Sequence, residues 1–162
     1  MQLTALNPAL AEATLGGLYA EGAGPSLSFL VSLLARPACR AWSMTDQESP
    51  LGAIWYQCVD DKAELLDLRI RPALRRSGHG RALLRESLRL IGQGGSRAVT
   101  LEVRESNTAA KSLYAAAGFT IVGRRRNYYP LTTGEREDAI LMSLTLQEGE
   151  LALISSRRTT GA

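Results

Sequence analysis

The sequence predicts an α/β protein in which helices cover a mixed sheet. Segments that alternate apolar and polar residues, the period of strands, are interspersed with segments of helical periodicity. Their order is β α α β β β α β α β β, with three successive antiparallel strands at the centre. The chain of 162 residues is 45% hydrophobic, enough for one core. We therefore expect one domain over residues 1–147 and a mobile polar tail over residues 148–162.

The first half of the chain supplies a short strand, two helices and a hairpin. The strand is expected within residues 1–7 and a helix over residues 8–19. Ser26 is expected to cap the second helix, which stops before Pro37. Strands are then expected over residues 39–44 and 51–59, and a further strand ends at Pro72, which has no N–H to donate.

The second half alternates helices and strands. A helix follows the glycine turn after Pro72, and a strand is expected over residues 97–104. Asn107 is expected to cap a helix that ends at Gly118, a common residue after a helix C-terminus. A strand over 119–123, a loop over 124–136 and a strand over 138–146 complete the prediction.

The glycine turn is the first candidate site. Leu66, Leu68 and Ile70 alternate with polar residues before it, and an amphipathic helix follows it. The turn reads Arg-Arg-Ser-Gly-His-Gly-Arg over residues 75–81. Its glycines allow a ligand to approach the backbone, and a helix N-terminus favours an anion, so the turn could hold a pyrophosphate. The alternative is an ordinary strand-to-helix turn with surface arginines; the pattern is neither a Walker loop nor a Rossmann fingerprint.

The charge and the cysteine content limit which ligands and which cellular locations suit this protein. The net charge is +3, and residues 61–162 carry seventeen Lys and Arg against eleven Asp and Glu. That excess suits a polyanion such as coenzyme A, a ribosomal surface or a solvated basic face. Cys39 and Cys58 lie far from any histidine cluster, so we expect reduced thiols and no metal. No signal peptide or apolar stretch of ~20 residues is present, so we expect a cytoplasmic protein without membrane contacts. The arginines of residues 124–126 have no interleaved aromatic platform of the kind that single-strand binders use, so we expect no direct nucleic-acid contacts.

A second group of residues follows the strand over 97–104. It contains Glu102 and Asn107, then Tyr114, then Gly-Phe at 118–119, Arg-Arg-Asn-Tyr-Tyr-Pro over 125–130 and Arg-Glu-Asp-Ala over 136–139. Glu102 could be a solvated strand residue, Tyr114 a core aromatic and Asn107 only a helix cap. A carboxylate that deprotonates an amine and a tyrosine that protonates a leaving thiolate would instead serve acyl transfer.

Together these motifs resemble the GCN5-related N-acetyltransferase (GNAT) family. Arg75, Gly78 and Gly80 occupy the defining positions of its Arg-x-x-Gly-x-Gly signature. The second group resembles the branch of that family that acetylates the N-terminal alanine of ribosomal proteins. The resemblance covers roughly residues 66–146. It implies a GNAT-like fold, acetyl-CoA as co-substrate, and transfer of acetyl to the α-amine of a small-subunit ribosomal protein.

The resemblance also implies roles for individual residues. Glu102 corresponds to the general base and Tyr114 to the general acid. Asn107 and the strand residues Leu68, Arg69 and Ile70 correspond to contacts with the coenzyme, the strand acting through its backbone. The pyrophosphate loop corresponds to Arg75, Arg76, Ser77, Gly78, His79, Gly80 and Arg81, with no catalytic role for His79. Tyr128 and Tyr129 are expected to shape the groove for the acceptor.

Two other functions remain open at this point. The acceptor could be a lysine side chain, a polyamine or an aminoglycoside, although the arginines of residues 124–126 do not suit a cationic acceptor. The protein could also bind coenzyme A or the ribosome without catalysis, although the presence of both Glu102 and Tyr114 disfavours this.

Overall fold

The computed structural model describes residues 2–20, 22, 24–47 and 49–146. The strands are β1 (Gln2–Ala5), β2 (Cys39–Asp46), β3 (Ser49–Val59), β4 (Lys62–Ile70), β5 (Ala98–Arg104), β6 (Thr120–Pro130) and β7 (Arg136–Thr145). The α-helices are α1 (Ala11–Leu15), α2 (Leu27–Leu33), α3 (His79–Gln93) and α4 (Thr108–Ala116). Short 3₁₀ turns at Gly16–Leu18 and Pro72–Leu74 follow α1 and β4.

All seven strands form one sheet in the order β1-β2-β3-β4-β5-β7-β6. Strands β1 to β4 are antiparallel neighbours, β4 and β5 are parallel, and β7 is antiparallel to both β5 and β6. The parallel pair requires the long crossover that α3 provides. The predicted mixed sheet flanked by helices, and the predicted order of elements, are confirmed.

Each face of the sheet carries its own core. On one face α3 and α4 pack against the central strands, with Leu83, Leu84, Val99 and Tyr56 fully buried. On the other face α1 and α2 pack around Trp55, which has no exposed surface. Since each buried leucine or isoleucine stabilises the fold by about 1.5–3 kcal/mol, both layers hold the sheet in place. The side-chain caps predicted at Ser26 and Asn107 are present, with their oxygens accepting from the N–H groups of Phe29 and Ala110.

Strand β6 corrects the sequence prediction, which placed a loop over residues 124–136. The strand continues to Pro130, and only residues 131–135 connect it to β7. It lies at the edge of the sheet and nearly all of its residues are exposed, so it shows no burial alternation. Its arginines pair with acids on neighbouring elements: Arg124 contacts Asp138 at 2.9 Å and Glu105 at 2.7 Å. These ion pairs join the exposed edge strand to its neighbours.

Helix α1 is also shorter than the predicted span of residues 8–19. It covers Ala11–Leu15 and continues as a 3₁₀ turn over Gly16–Leu18, because consecutive glycines at 16 and 17 are poor helix formers. Cys39 and Cys58 are half-buried free thiols, and burial raises the pKa of each. None of the helices in the described part of the chain is long and apolar enough to cross a membrane. The predicted tail over 148–162 lies outside the described residues.

Candidate active site

A β-bulge at Leu66 opens a gap in the centre of the sheet. Asp67 is opposite Trp55 on β3 and Leu65 is opposite Tyr56, so Leu66 is an extra residue in β4. Pairing between β4 and β5 ends at the same point, with Leu65 opposite Leu101 as the last pair. Bulges bend a strand and increase its twist. Beyond Leu65 the two parallel strands therefore separate.

The bulge also reverses the alternation of β4. Ala63 and Leu65 belong to the core under α3, and so do Leu68 and Ile70, whereas Leu66 packs on the opposite face with Trp55. The sequence had suggested that Leu66, Leu68 and Ile70 share one face. That grouping is wrong for Leu66, because the extra residue shifts the period of the strand by one position.

The gap forms a cleft of about 490 Å³. Both separated strands, the start of α4, Tyr129 of β6 and the connection between α1 and α2 line it. The lining side chains and backbone belong to Gly22, Gly24, Pro25, Leu65, Leu66, Asp67, Leu68, Arg69, Ile70, Arg75, Leu101, Glu102, Val103, Arg104, Asn107, Ala109, Ala110, Tyr114 and Tyr129. Of the residues predicted from sequence, the cleft brings together Glu102, Tyr114, Asn107, Tyr129, Arg75 and the strand residues Leu68, Arg69 and Ile70.

Glu102 lies on β5, immediately beyond the last pair with β4. Its side chain is 20% exposed, and Oε1 lies 2.7 Å from Nε of Arg125 on β6. Arg125 is 55% exposed and lies over the ring of Tyr128. The Glu102 carboxylate is thus accessible from the cleft, and its ion pair with Arg125 is exposed to solvent.

Tyr114 reaches the cleft from α4. It is 8% exposed and packs edge-on against Phe119, with ring centroids 5.7 Å apart. Burial raises the pKa of its hydroxyl well above the usual value, and the charge of Asp67 raises it further. The group is therefore fully protonated at neutral pH and is available as a hydrogen-bond donor.

The glycine loop has the geometry of an anion site. Gly78 precedes α3 with φ +88°, which favours glycine, and the first intrahelical bond runs from the N–H of Ala82 to the carbonyl of Gly78. The N–H groups of residues 79–81 precede that bond at the positive end of a 15-residue helix. Ser77 fixes the turn by donating to the carbonyl of Leu74 and contacting Nδ1 of His79 at 2.6 Å.

The remaining predicted residues lie at the edges of the cleft. Asn107 uses its amide oxygen as the α4 cap, 3.1 Å from the N–H of Ala110. Tyr129 lines the cleft, and the guanidinium of Arg104 lies 4.5 Å from the centroid of the Tyr129 ring. Burial raises the pKa of the Tyr129 hydroxyl. Tyr128 is outside the cleft lining and stacks edge-on against Tyr129. Six residues of the predicted pyrophosphate loop are outside the cleft lining: Arg76, Ser77 and Gly78 in the turn, and His79, Gly80 and Arg81 at the start of α3.

Two side chains of the cleft were missed from the sequence as functional groups. Asp67 and the side chain of Arg69 face the connection between α1 and α2, where the hydroxyl of Tyr19 donates to Asp67 at 2.6 Å. Their signal in the sequence was two charged residues within residues 65–70, which are otherwise apolar. The bulge moves both toward the smaller core, which a regular alternation does not reveal.

The model of the acetyltransferase (GNAT) family matches residues 12–119, which contain β4, the glycine loop, Glu102 and Tyr114. The chain belongs to the GNAT family. Membership confirms the predicted family and enzyme class, an acetyltransferase that uses acetyl-CoA as the acetyl donor. The cleft fits that donor: two separated strands can accept an extended arm between them, and the α3 N-terminus at one end suits a pyrophosphate.

Relatives of known name are similar over the central part of the chain. The [ribosomal protein bS18]-alanine N-acetyltransferase of Escherichia coli K12 is 46% identical over 90 residues, which cover 56% of this chain and 60% of that protein. The enzyme of the same name from Haemophilus ducreyi is 36% identical over 102 residues, 63% of this chain and 70% of that protein. The matched segments thus span about two thirds of each relative.

Solved structures share the fold over a longer span. The crystal structure of the ribosomal-protein-S18-alanine N-acetyltransferase from Escherichia coli superposes with a TM-score of 0.81 at 33% identity, covering 90% of this chain and 94% of that one. A spermidine N-acetyltransferase chimera that includes Vibrio cholerae sequence superposes with a TM-score of 0.77 at 19% identity. The second likeness concerns the fold alone.

Proposed function

We propose that the protein transfers acetyl from acetyl-CoA to the N-terminal α-amine of a protein, an alanine of a small-subunit ribosomal protein. The observation that carries the chemistry is the position of Glu102 and Tyr114, which both line the cleft where β4 and β5 have separated. The choice of acceptor is supported by the two relatives, whose names specify an alanine of ribosomal protein bS18. We place the reaction in the cytoplasm, where ribosomal proteins are made.

Glu102 serves as the base in this proposal. An α-amine has a pKa near ~8, so much of it is protonated at neutral pH and is not nucleophilic. A carboxylate can remove that proton directly or through one water. Because the pair of Glu102 with Arg125 is open to solvent, it contributes little energy, and an arriving ammonium can compete for the carboxylate.

Tyr114 serves as the proton donor to the departing thiolate. Its raised pKa keeps the hydroxyl protonated over the working range, but also makes full proton transfer to a thiolate of pKa about 8.5 unfavourable. Its main contribution is therefore a hydrogen bond to the negative charge that develops on sulfur. Backbone donors of Leu68–Ile70 are proposed to stabilise the oxyanion and to pair with the pantetheine arm.

The other predicted residues bind the substrates. The turn of residues 75–81 is proposed to hold the pyrophosphate through backbone N–H groups, and Asn107 to contact the coenzyme while capping α4. Tyr129 and its neighbour Tyr128 are proposed to shape the acceptor groove. No step of this proposal calls for a metal, because the carboxylate takes the proton of the amine and the tyrosine hydroxyl donates a hydrogen bond to the departing thiolate.

Acetylation of a polyamine is the weaker candidate. A polycation is recognised best by an excess of acidic groups, whereas Arg69, Arg75 and Arg104 line this cleft together with Asp67 and Glu102. Among the described residues of the cleft, three guanidinium groups against two carboxylates suit a peptide with its own carbonyl groups better than a chain of ammonium groups.

Paired peptides test the proposal. The purified protein would receive acetyl-CoA with a peptide that begins with a free alanine and contains one internal lysine, or with the same peptide blocked at its N-terminus. Coenzyme A release would be followed, and the product located by mass spectrometry. We expect acetylation of the free alanine only. Modification of the lysine in the blocked peptide, or consumption of spermidine with neither peptide modified, would overturn the proposal.

A further inference from the structure

A cluster of four side chains beside the cleft takes no part in the proposed proton transfers. Tyr19, which follows the 3₁₀ turn after α1, donates its hydroxyl to Oδ2 of Asp67 at 2.6 Å and accepts a hydrogen bond from Nε1 of Trp55 at 2.9 Å. The guanidinium of Arg69 lies 4.1 Å from the centroid of the Tyr19 ring and 3.9 Å from Oδ1 of Asp67. We call these four residues the Tyr19 cluster.

The Tyr19 cluster is nearly sealed from water. Arg69 is 8% exposed, Trp55 has no exposed surface, and the Asp67 side chain is 11% exposed. Burial raises the pKa of the Asp67 carboxyl, so keeping it ionised there opposes folding. An apolar group at this position would avoid that cost. The carboxylate is held there by the Tyr19 hydroxyl and the Arg69 guanidinium rather than by water.

The Tyr19 cluster lies directly beneath one wall of the cleft. Gly22, Gly24 and Pro25, between α1 and α2, form this wall. A Cβ atom added to Gly24 would lie 3.2 Å from Arg69 and 3.6 Å from Asp67, and one added to Gly22 would lie 3.7 Å from Arg69. Both glycines have φ +116°, so their backbone conformation is also specific. The backbone of the wall thus rests on the two charged side chains.

The face of the sheet on which the wall lies indicates which substrate it contacts. Helix α3, which begins at the glycine loop, packs on one face of the sheet, whereas the wall lies against Asp67 and Arg69 on the opposite face, where α1 and α2 pack. The described residues of the wall are two glycines and a proline, which present mostly backbone and so suit the main chain of an extended peptide.

We propose that Tyr19, Asp67 and Arg69 are positioning residues that hold the wall of Gly22, Gly24 and Pro25 in place to receive the acceptor peptide. The inference rests on the proposed function, since it requires a peptide acceptor. Under this proposal the two parts of Arg69 have separate roles. Its side chain supports the acceptor wall, and its backbone contacts the coenzyme. Loss of the Tyr19 cluster should weaken acceptor binding and leave acetyl-CoA binding intact.

Steady-state kinetics of matched variants test this. Tyr19→Phe removes the hydroxyl from the cluster. Tyr56→Phe is the control, because it also removes one buried tyrosine hydroxyl, bonded to Ser87 at 2.8 Å, but Tyr56 does not line the cleft. We expect Tyr19→Phe to raise the KM for the free-alanine peptide about 10-fold, the equivalent of one lost hydrogen bond, with the KM for acetyl-CoA unchanged. Tyr56→Phe should change neither KM.

Two further variants exclude a purely structural explanation. Asp67→Ala removes the oxygen that accepts from Tyr19, so it should raise the KM for peptide and leave the KM for acetyl-CoA unchanged. Gly24→Ala alters the exposed wall itself and should raise the peptide KM even if Tyr19→Phe fails to fold. A wild-type protein that does not acetylate the free-alanine peptide would refute the proposed function. An active wild type with the same peptide KM in Tyr19→Phe, Asp67→Ala and Gly24→Ala would refute this inference alone.

Discussion

Leu65 and Leu101 form the last pair between the parallel strands β4 and β5, one residue before the bulge at Leu66. The cleft exists because pairing stops there while both strands continue, β4 to Ile70 and β5 to Arg104. A strand that is bonded on only one side exposes every second backbone group to the gap. Those groups are the donors and acceptors that an extended ligand can use.

Hydrogen exchange can test this use of β4. Residues 62–65 already have neighbours on both sides, whereas residues 66–70 pair with β3 alone. We expect acetyl-CoA to slow exchange of alternate amides in residues 66–70, since those facing the gap gain a partner. The amides of residues 62–65 are the internal control and should not change. Equal protection of both segments would mean general stabilisation rather than contact with the gap.

The two glycines of the turn should respond differently to alanine. Gly78 has φ +88°, so Gly78→Ala should destabilise the fold by about 1–2 kcal/mol. A Cβ at Gly80 would make ordinary contacts, 3.6 Å from Leu113 and 3.7 Å from Ile70. Gly80→Ala should therefore fold at least as well as the wild type, because alanine favours a helix.

Binding measurements then separate packing from ligand contact at Gly80. If the backbone of the α3 N-terminus approaches a phosphate, the added methyl group should weaken acetyl-CoA binding about 10-fold, comparable to one lost hydrogen bond. Thermal unfolding and calorimetric titration of the same sample report both quantities. Unchanged affinity in a stable Gly80→Ala protein would remove this residue from the binding site.

Tyr114→Phe tests the donor to the thiolate. We expect kcat to fall about 100-fold, within the usual range for general acid catalysis. Because burial and Asp67 raise the pKa of this hydroxyl, the wild-type group stays protonated to well beyond about pH 9, and the ratio of wild-type to variant kcat should not change between about pH 6 and 9. A ratio that falls toward one within that range would show that the hydroxyl ionises earlier than its burial predicts.

Two aspartates should have opposite effects on stability. Burial raises the pKa of Asp67, so its ionised form opposes folding above the unfolded-state pKa, and Asp67→Asn should leave the protein as stable or more stable at neutral pH. The pKa of Asp138 is lowered by the N–H of Asn127 and by Arg124, so its ionised form favours folding. Asp138→Asn should destabilise the protein at neutral pH.

Both differences should shrink on acidification, but at different pH: that of Asp67 is lost as the pH falls to the unfolded-state pKa near ~3.9, whereas that of Asp138 is lost only at lower pH, through its lowered folded-state pKa. Thermal unfolding of the wild type and both variants at neutral and acidic pH measures this. Two variants that shift stability in the same direction at neutral pH would contradict the assigned environments.

Local signals in the sequence predicted much of the fold. Asn107 and Ser26 are caps that depend on residues three positions away, and both form as expected. Glu102 and Tyr114 were recognisable by their motif, and the fold brings them to one cleft. The extension of β6 was missed because an edge strand buries no regular face.

Contacts between distant elements could not be derived in this way. The bulge at Leu66 depends on the register with β3, and the Tyr19 cluster joins residues 48 positions apart. The pairing of Arg125 with Glu102 depends on β6 continuing as a strand and on β7 lying between β5 and β6. The three arginines of residues 124–126 gave no indication of which one would pair with Glu102.

The central claim is that Glu102 acts as the base for an amine in this cleft. The most direct measurement compares kcat of Glu102→Gln and Arg125→Gln with the free-alanine peptide, since both variants break the same 2.7 Å ion pair. We predict a loss of about 100-fold or more in Glu102→Gln with unchanged acetyl-CoA affinity. Arg125→Gln should stay within about 5-fold of the wild type, because an exposed ion pair contributes little. Equal losses in both variants, or full turnover in Glu102→Gln, would contradict the account.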